Sequence, residues 1–383
     1  MIKMFIHFFF WLMGFFFLFH IPLCRSKDNY NKNYPKISVI IPARNEENAL
    51  PNLLASLNKQ AQAEDEIIVV DDSSEDNTRQ IALENGATVV DSEPLPKGWM
   101  GKNWACYQGA NQATGDIFIF LDADTIIEGN GLKKMVDSFI YSEAIISIQP
   151  YHRVRRLYEE LSAFFNIILM AAVGSFTILG NKIKPIGLFG PAMVLKREKY
   201  ITSGGHSKVR GEILEDLAFG AKEKKKGTRI FCYGGKGTIS FRMYPNGLKE
   251  LITGWSKGFA EGAKSTSIPV LLMIIAWITG AIGTVRNLIQ AGVISDISLT
   301  TLWGLLYIAY AIQIYWMLYR IGNFKPYTAL LFPIPLLFFI IIFAYSFIII
   351  FIRKNVSWKG RTIRVAGKES NAHTSSDNYN HSN

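Results

Sequence analysis

Residues Ile117 to Ile126 read IFIFLDADTI. Five apolar residues in a row, rich in β-branched and aromatic side chains and closed by a polar turn, have the length and composition of a strand buried on both faces. Two aspartates, Asp122 and Asp124, follow with a single alanine between them. Carboxylates held that close repel one another unless a cation lies beside them. The stretch therefore predicts a buried strand that delivers two acids to a sheet edge, with a metal ion between them.

Upstream, KISVIIPA (36–43), DEIIVVDD (65–72) and ATVVDS (87–92) read as further strands. NEENALPNLLASLNKQ (45–60), EDNTRQIALENG (75–86) and NWACYQGANQAT (103–114) read as the helices between them. Such alternation predicts an α/β domain, a mostly parallel sheet with helices on both faces. Ligands in such sheets lie beyond the carboxyl ends of the strands. IPARNEE follows the first strand, VVDDSSEDNT the second and LDADT the fourth, so all three clusters gather at one edge. An oxygen-only cluster suits Mg2+ or Mn2+, and a hard ion held by one or two carboxylates completes its shell with phosphates. That chemistry points to a diphosphate-bearing substrate. DDSSEDN has a second reading as a helix-capping turn.

KGWMGKNW sets Lys97 and Lys102 beside glycines just before a helix, where backbone N–H groups favour phosphate; a solvated loop is the alternative. KEKKKG (222–227) reads as a solvated helix C-terminus, where cations suit the dipole. His206 in GGHSK reads as a turn residue or an acceptor contact.

The chain has 383 residues, enough for one catalytic domain and something more. With 49% hydrophobic, 13% aromatic and 19% charged residues it is apolar for a soluble enzyme. The net charge of +10 fits an anionic membrane surface better than nucleic acid, because no basic patch is interleaved with stacking aromatics. Cys24, Cys106 and Cys232 have neither disulfide nor zinc spacing, which fits a reducing, cytosol-facing setting.

Four segments are apolar enough for a membrane: 5–24, 268–285, 299–318 and 328–352. The first reads as an uncleaved anchor flanked by Arg25, Lys27, Lys32 and Lys36, with a cleaved signal peptide as the alternative. Three C-terminal spans starting inside would leave RKNVSWKGR (353–361) outside, against the positive-inside tendency, so the first or second is expected to lie in the interface. A fifth apolar stretch, Leu161 to Gly180, cannot cross once, because LDAD and EILED would then lie on opposite faces. An in-plane helix beside the lipid is expected, with a buried core helix as the alternative. The resulting division is an anchor and linker at 1–35, a catalytic domain at 36–262 with the in-plane helix near 157–180, transmembrane helices at 263–355 and a polar tail at 356–383.

SVIIPARNEE, VVDDSSEDNT, GDIFIFLDADT and GGHSKVRGEILEDLAFG together resemble the ordered motifs of inverting family 2 glycosyltransferases of GT-A fold, over about residues 36 to 262. The resemblance implies that Asp72 contacts the nucleotide base and that Asp122 and Asp124 hold the ribose and the metal-bridged diphosphate. It also implies an acceptor-side base at Asp216 with Glu215 before it. Arg44, Glu46, Lys102, Arg242 and Trp255 complete the expected substrate-binding set. PKGWMGKNWACYQGA, SIQPYHRV, FGPAMVL, FRMYPNGLKELITGWSKG and SWKGR resemble, more narrowly, the bacterial 4,4'-diaponeurosporenoate glycosyltransferases, which glucosylate a C30 carotenoid acid. The Q-x-x-R-W motif of processive members is absent, and only Trp255 in ITGWSKG stands nearby.

The resemblance implies a multi-pass cell-membrane enzyme, its catalytic domain facing the cytoplasm, that moves glucose from UDP-glucose to a lipid or carotenoid acceptor. Arg153, Arg155 and Arg242 are the candidate cations for an acceptor carboxylate. Alternatives are another lipid acceptor (hopanoid, glycerolipid or polyprenyl phosphate) and a catalytically silent membrane scaffold.

Overall fold

The computed structural model describes residues 2–26, 35–180, 185–212, 214–256, 262 and 265–348, and the backbone of 355–358 and 361–364. Its strands are β1 (Ile37–Ala43), β2 (Glu66–Asp71), β3 (Thr88–Asp91), β4 (Ile117–Leu121), β5 (Thr125–Ile127), β6 (Ile145–Gln149), β7 (Tyr151–His152), β8 (Ala192–Lys196), β9 (Ile230–Gly234) and β10 (Ile239–Phe241). IFIFL is β4, at the middle of a seven-stranded sheet ordered β3-β2-β1-β4-β8-β6-β9. β1 runs parallel to both β2 and β4, β2 to β3, and β6 to β9, while β8 lies antiparallel between β4 and β6. The sheet is thus mostly parallel, as the alternation predicts. Because β1, β2 and β4 are parallel neighbours, their acidic carboxyl ends do meet at one edge. A second, three-stranded sheet joins β5, β10 and β7.

Alternation along each strand explains why these stretches are mostly apolar. Val39, Ile41, Val69, Ile119 and Leu121 face Leu53, Leu54 and Leu57 of helix Leu50–Asn58 and Met135 and Phe139 of helix Gly131–Ser142. Ile40, Val70, Phe118 and Phe120 face the opposite way, onto Ala105 and Cys106 of helix Gly101–Gln112 and Phe219 of helix Glu215–Lys225. Both faces are covered, so the strands are mostly apolar, and the buried Ser38 and Ser147 are each hydrogen-bonded, Ser38 Oγ to Glu66 Oε2 and Ser147 Oγ to the Phe189 carbonyl.

A third core joins the N-terminal helix Ile2–Phe17 to helices Ile268–Val293, Ile297–Ile321 and Pro333–Ile348. Helices Ile268–Val293 and Ile297–Ile321, with 26 and 25 residues, are long and apolar enough to cross a membrane. The sequence reading set one of these two aside as interfacial; the structure makes them the long pair. The final apolar segment is the interrupted one, split into Pro326–Leu330 and the 16-residue Pro333–Ile348. Pro333 lacks the N–H that would continue the preceding helix. Polar ties hold the bundle: Trp277 Nε1 donates to Gln313 Oε1 at 2.7 Å, and Gln313 Nε2 donates to the Trp11 carbonyl at 3.0 Å. Arg320 donates to the carbonyls of Leu18 and Phe19, at 3.0 and 2.7 Å, just past the end of the N-terminal helix.

The expected in-plane helix within 157–180 takes its alternative form. A 3-10 turn, Leu157–Ser162, leads into a helix of only ten residues, Ala163–Ala172, in which all but Leu169 and Ala172 are buried. The protein's own helices cover it: Phe165 stacks on Trp255 at 4.6 Å, and Phe164 meets Trp277 at 5.7 Å. It is apolar because it lies at the junction of two cores. The start of the expected polar tail pairs as a hairpin, Asn355–Trp358 with Arg361–Arg364. The stretch KESNAHTSSDNYNHSN (368–383) and the basic linker residues Lys27 and Lys32 lie outside the described residues.

Candidate active site

LDADT turns sharply after β4. The Asp122 carbonyl accepts from the Thr125 amide at 3.2 Å and the Thr125 hydroxyl at 2.7 Å, closing a β-turn. Ala123 is 3% exposed and packs into the core beneath the sheet, and all three residues, Asp122, Ala123 and Asp124, border a cavity at the sheet edge. The lone alanine is therefore the turn's foot in the core, with one acid on either side of it.

The loops after β1 and β2 are laced together. Asn45 N donates to Ser74 Oγ at 3.0 Å, Glu46 N to Thr78 Oγ1 at 2.7 Å, and Glu75 N to Asn45 Oδ1 at 2.8 Å. Most of DDSSEDNT is thus structural, and Asp72 is the member that reaches the cavity. Arg44 fixes it, donating to the Asp72 carbonyl at 2.6 Å with its guanidinium 4.0 Å from Asp72 Oδ2.

From the opposite side, Lys102 in the first turn of helix Gly101–Gln112 meets the start of helix Glu215–Lys225. Lys102 Nζ lies 2.9 Å from Asp122 Oδ1, 3.0 Å from Glu215 Oε1 and 3.5 Å from Asp216 Oδ2. Burial works against the charge on Lys102, but Asp122, Asp216 and Glu215 outweigh it and hold the group as an ammonium. Burial and then the Glu215 charge push the Asp216 carboxyl well above the usual carboxylate range. For Glu215, burial is outweighed by Lys102 and by hydrogen bonds, which bring it below that range.

Close backbone approach makes this meeting possible. A Cβ on Gly190 would stand 2.4 Å from Asp216 Oδ2, and one on Gly187 would stand 2.7 Å from the Leu217 backbone. A Cβ on Gly220 would in turn stand 2.8 Å from the Gly187 backbone.

All these groups line one cavity of about 1020 Å³. At its polar end are Arg44, Glu46, Asp72, Lys102, Asp122, Asp124, Glu215 and Asp216. Trp255 forms part of the wall, its indole N–H donating to Ser162 Oγ at 3.0 Å. Beyond them the lining is apolar and is supplied by helices Ala163–Ala172, Ile268–Val293 and Pro333–Ile348.

Arg242, expected in the substrate set, is not part of that lining. It donates through Nε and Nη2 to Glu159 Oε1, at 3.1 and 2.5 Å, and Glu159 is fully buried. An ionised acid at that depth requires such a partner. Arg153 pairs with Glu128, and Arg155 is exposed. His206, read as a turn residue or acceptor contact, is 2% exposed beneath β4, with Nδ1 2.8 Å from the Tyr200 hydroxyl and its ring stacked on Phe219. Burial pushes its pKa down to about 4, so it stays neutral. The basic run is anchored: Lys224 donates to the Pro185 carbonyl at 3.0 Å and Lys226 to Glu223 at 2.9 Å. Gln149, at the end of β6, and Tyr244 line the cavity although sequence reasoning passed over them. The signal for Gln149 was a polar residue closing a mostly apolar strand just before Pro150.

Among the described residues no group of three or more His, Cys, Asp or Glu side chains forms a ready metal cage. Asp122 and Asp124 nonetheless fit a hard divalent ion, since Mg2+ and Mn2+ sites of this kind use one or two carboxylates and leave the other positions to water and phosphate.

Residues 38–195 match the family model described as Glycosyl transferase family 2. The 4,4'-diaponeurosporenoate glycosyltransferase of Staphylococcus haemolyticus is 36% identical over 345 residues, which is 89% of this chain and 92% of that one. Its counterpart from Staphylococcus aureus is 31% identical over 88% of this chain and 91% of its own. Among solved structures, a Pyrobaculum calidifontis mannosyltransferase in complex with GDP-Man and Mn2+ is similar with a TM-score of 0.48 and 17% identity, covering 81% of this chain and 94% of that one. Mycobacterium tuberculosis glucosyl-3-phosphoglycerate synthase, in complex with Mn2+, UDP and glucosyl-3-phosphoglycerate, has a TM-score of 0.40 and 20% identity, covering 64% and 88%. The strand-end acids, the match to the family model and the likeness to the two staphylococcal enzymes along nearly the whole chain lead to one conclusion: the protein is a glycosyltransferase of GT-A fold and belongs to glycosyl transferase family 2.

Proposed function

We propose that this enzyme transfers glucose from UDP-glucose, with inversion, to the carboxylate of 4,4'-diaponeurosporenoate, forming a glucosyl ester at the cytoplasmic face of the cell membrane. The observation that carries the reading is the cavity that is ionic at the strand ends and apolar between the long helices, so that one site serves a sugar nucleotide and a hydrophobic acid. Relatives named for this acceptor along nearly the whole chain support the same choice.

In this reading Asp72, held by Arg44, receives the nucleotide base, with Glu46 beside it. Asp122 and Asp124 hold Mg2+ or Mn2+, which when bound offsets the charge developing on the leaving diphosphate. Lys102, in the first turn of a helix, adds a cation and a helix N-terminus to the same anion. A carboxylate oxygen of the acceptor attacks the anomeric carbon from the face opposite the diphosphate. The new C–O bond forms as the bond to the diphosphate oxygen breaks, and the nucleoside diphosphate departs with the electron pair. A carboxylate needs no base, so Asp216 and Glu215 position the acceptor. Trp255 supplies a flat apolar wall beside them.

The test is to incubate membranes containing the protein with labelled UDP-glucose and the C30 acid and to identify the labelled lipid. A product from which mild alkali releases glucose is the expected ester. An alkali-stable glycoside, or label in another lipid, would refute the assignment.

A further inference from the structure

The apolar half of the cavity is built from two facing stripes. Leu271, Ile274, Ile275 and Ile278 follow the i, i+3, i+4, i+7 spacing of one helix face, and Phe339, Ile340, Phe343 and Phe347 form a matching stripe on helix Pro333–Ile348. Ile168, Leu169 and Val173 close the floor between them. At about 1.5 Å per residue the stripes run for about 12 Å. Their members grade from covered to open: Ile274 and Phe339 are each 5% exposed, while Ile275 and Phe347 are each 51% exposed. Phe339 and Phe343 lie with rings 5.9 Å apart and 21° from parallel, so one side of the cleft is aromatic.

We infer that this cleft is the seat of the acceptor's hydrocarbon chain, entered sideways from the bilayer past Ile275 and Phe347, with the chain's acidic end delivered to Lys102. The inference rests on the reading that the acceptor is an apolar acid, and it deepens that reading by giving the acid an orientation. Three observations favour an anionic amphiphile as the occupant. The cleft is continuous with the ionic end, where the Lys102 ammonium stands 3.5 Å from Asp216 Oδ2. Its half-exposed mouth opens on the outward face of Ile268–Val293, a helix long and apolar enough to cross a membrane. Its aromatic side, Phe339, Phe343 and Phe347, offers π-faces and edges to an unsaturated chain. A C30 chain is longer than the cleft, so its remainder stays among the lipid tails, and no water-filled route has to carry it.

The experiment uses the full-length protein in phospholipid nanodiscs and, as probe, a long-chain fatty acid bearing a diazirine at its far end. Photolysis is expected to place adducts within 271–278 and 339–347, and both the C30 acid and unmodified palmitate are expected to suppress them. Adducts elsewhere would overturn the assignment, as would adducts that acids fail to displace, because bulk phospholipid would then fill the cleft. A second arm measures the acceptor KM. Ile275→Trp overpacks the mouth and is expected to raise it about tenfold or more. Ile282→Trp, at a 44% exposed position on the same helix outside the cavity, serves as the control. Equal effects of the two substitutions would also overturn it. If the probe seats and palmitate competes while the C30 acid is not glucosylated, the cleft stands and the proposed acceptor falls.

Discussion

The Lys102 ammonium and the Asp122 carboxylate stand 2.9 Å apart, although they come from opposite sides of the sheet edge. This contact ties the first turn of helix Gly101–Gln112 to the turn after β4, and through Glu215 to a second helix start. The cation that two strand-end aspartates demand is thus supplied in part by the chain itself. The one ammonium is shared among Asp122, Glu215 and Asp216, at 2.9, 3.0 and 3.5 Å, and in the proposed reaction it can shift its contacts among them as an anionic donor binds.

Removing that ammonium is expected to have opposite effects on binding and on turnover. In Lys102→Met the acids at 122 and 215 lose their shared counter-charge, so Mn2+ is expected to bind more tightly. Transfer should nevertheless fall by about 10² to 10³, the scale of losing one preorganised electrostatic group. Mn2+ titration followed by electron paramagnetic resonance, alongside kcat, checks this; weaker Mn2+ binding would mean that Lys102 only shapes the fold.

Asp124 makes the complementary case. It is half-buried in a turn whose backbone hydrogen bonds come from Asp122 and Thr125, and asparagine has the same size and shape, so Asp124→Asn is expected to leave Tm near that of the wild type. Metal-dependent donor turnover should fall by at least about 10². A chelator should abolish wild-type activity and Mn2+ restore it, whereas full activity with chelator present would remove the metal from the reaction.

The fold was legible where one physical pressure dominated. Strands buried on both faces are mostly apolar, and IFIFL, ISVIIPA and EIIVVD stand close to where the apolar runs placed them. The strand-end acids were legible because parallel neighbours bring equivalent ends together. Hidden from the sequence was everything that depends on which long-range partner a residue meets. Arg242 looks like any cation until Glu159 is seen beside it, and Lys102 shows no sign of Glu215, 113 residues away. Leu161 to Gly180 has the composition of a membrane segment because the inside of a helix bundle is as apolar as lipid. Gly187 and Gly190 carry no spacing signal at all, and their role emerges only from the backbone of the helix they admit.

Arg242 gives a prediction about stability in place of acceptor binding. Glu159 is fully buried and is held below the usual carboxylate range: burial alone would raise it, and the Arg242 hydrogen bond leads the effects that outweigh burial. Arg242→Met leaves that acid without its partner and is expected to cost about 3 to 5 kcal/mol. Arg242→Lys should lose part of this, because an ammonium cannot reproduce the guanidinium's paired donors. Thermal unfolding and the acceptor KM together decide the matter. A lowered Tm with an unchanged KM in Arg242→Lys is expected; the reverse pattern would return Arg242 to the acceptor site.

The last prediction concerns pH and turns on Asp216. Burial, and then the Glu215 charge, raise its folded pKa above the ordinary value of about 3.9. Between those two values the unfolded chain ionises while the folded protein stays protonated, so the unfolded state binds fewer protons and stability falls as pH rises. The contribution is fully present below the unfolded pKa and is lost as pH climbs through the folded one. Asp216→Asn removes this slope, so its Tm should gain on that of the wild type as pH is raised from acid to neutral. Catalysis should follow the same proton. A protonated Asp216 can donate a hydrogen bond to an acceptor carboxylate, whereas an ionised one repels it. With the C30 acid, kcat/KM should therefore fall as pH rises through the raised pKa, and Asp216→Asn should flatten the profile. With the corresponding primary alcohol, which must lose a proton as it attacks, the rate should instead rise over the same range, since a positioned base contributes about 10² to 10⁴. Profiles of one shape for both acceptors would mean that the Asp216 proton does not read the acceptor.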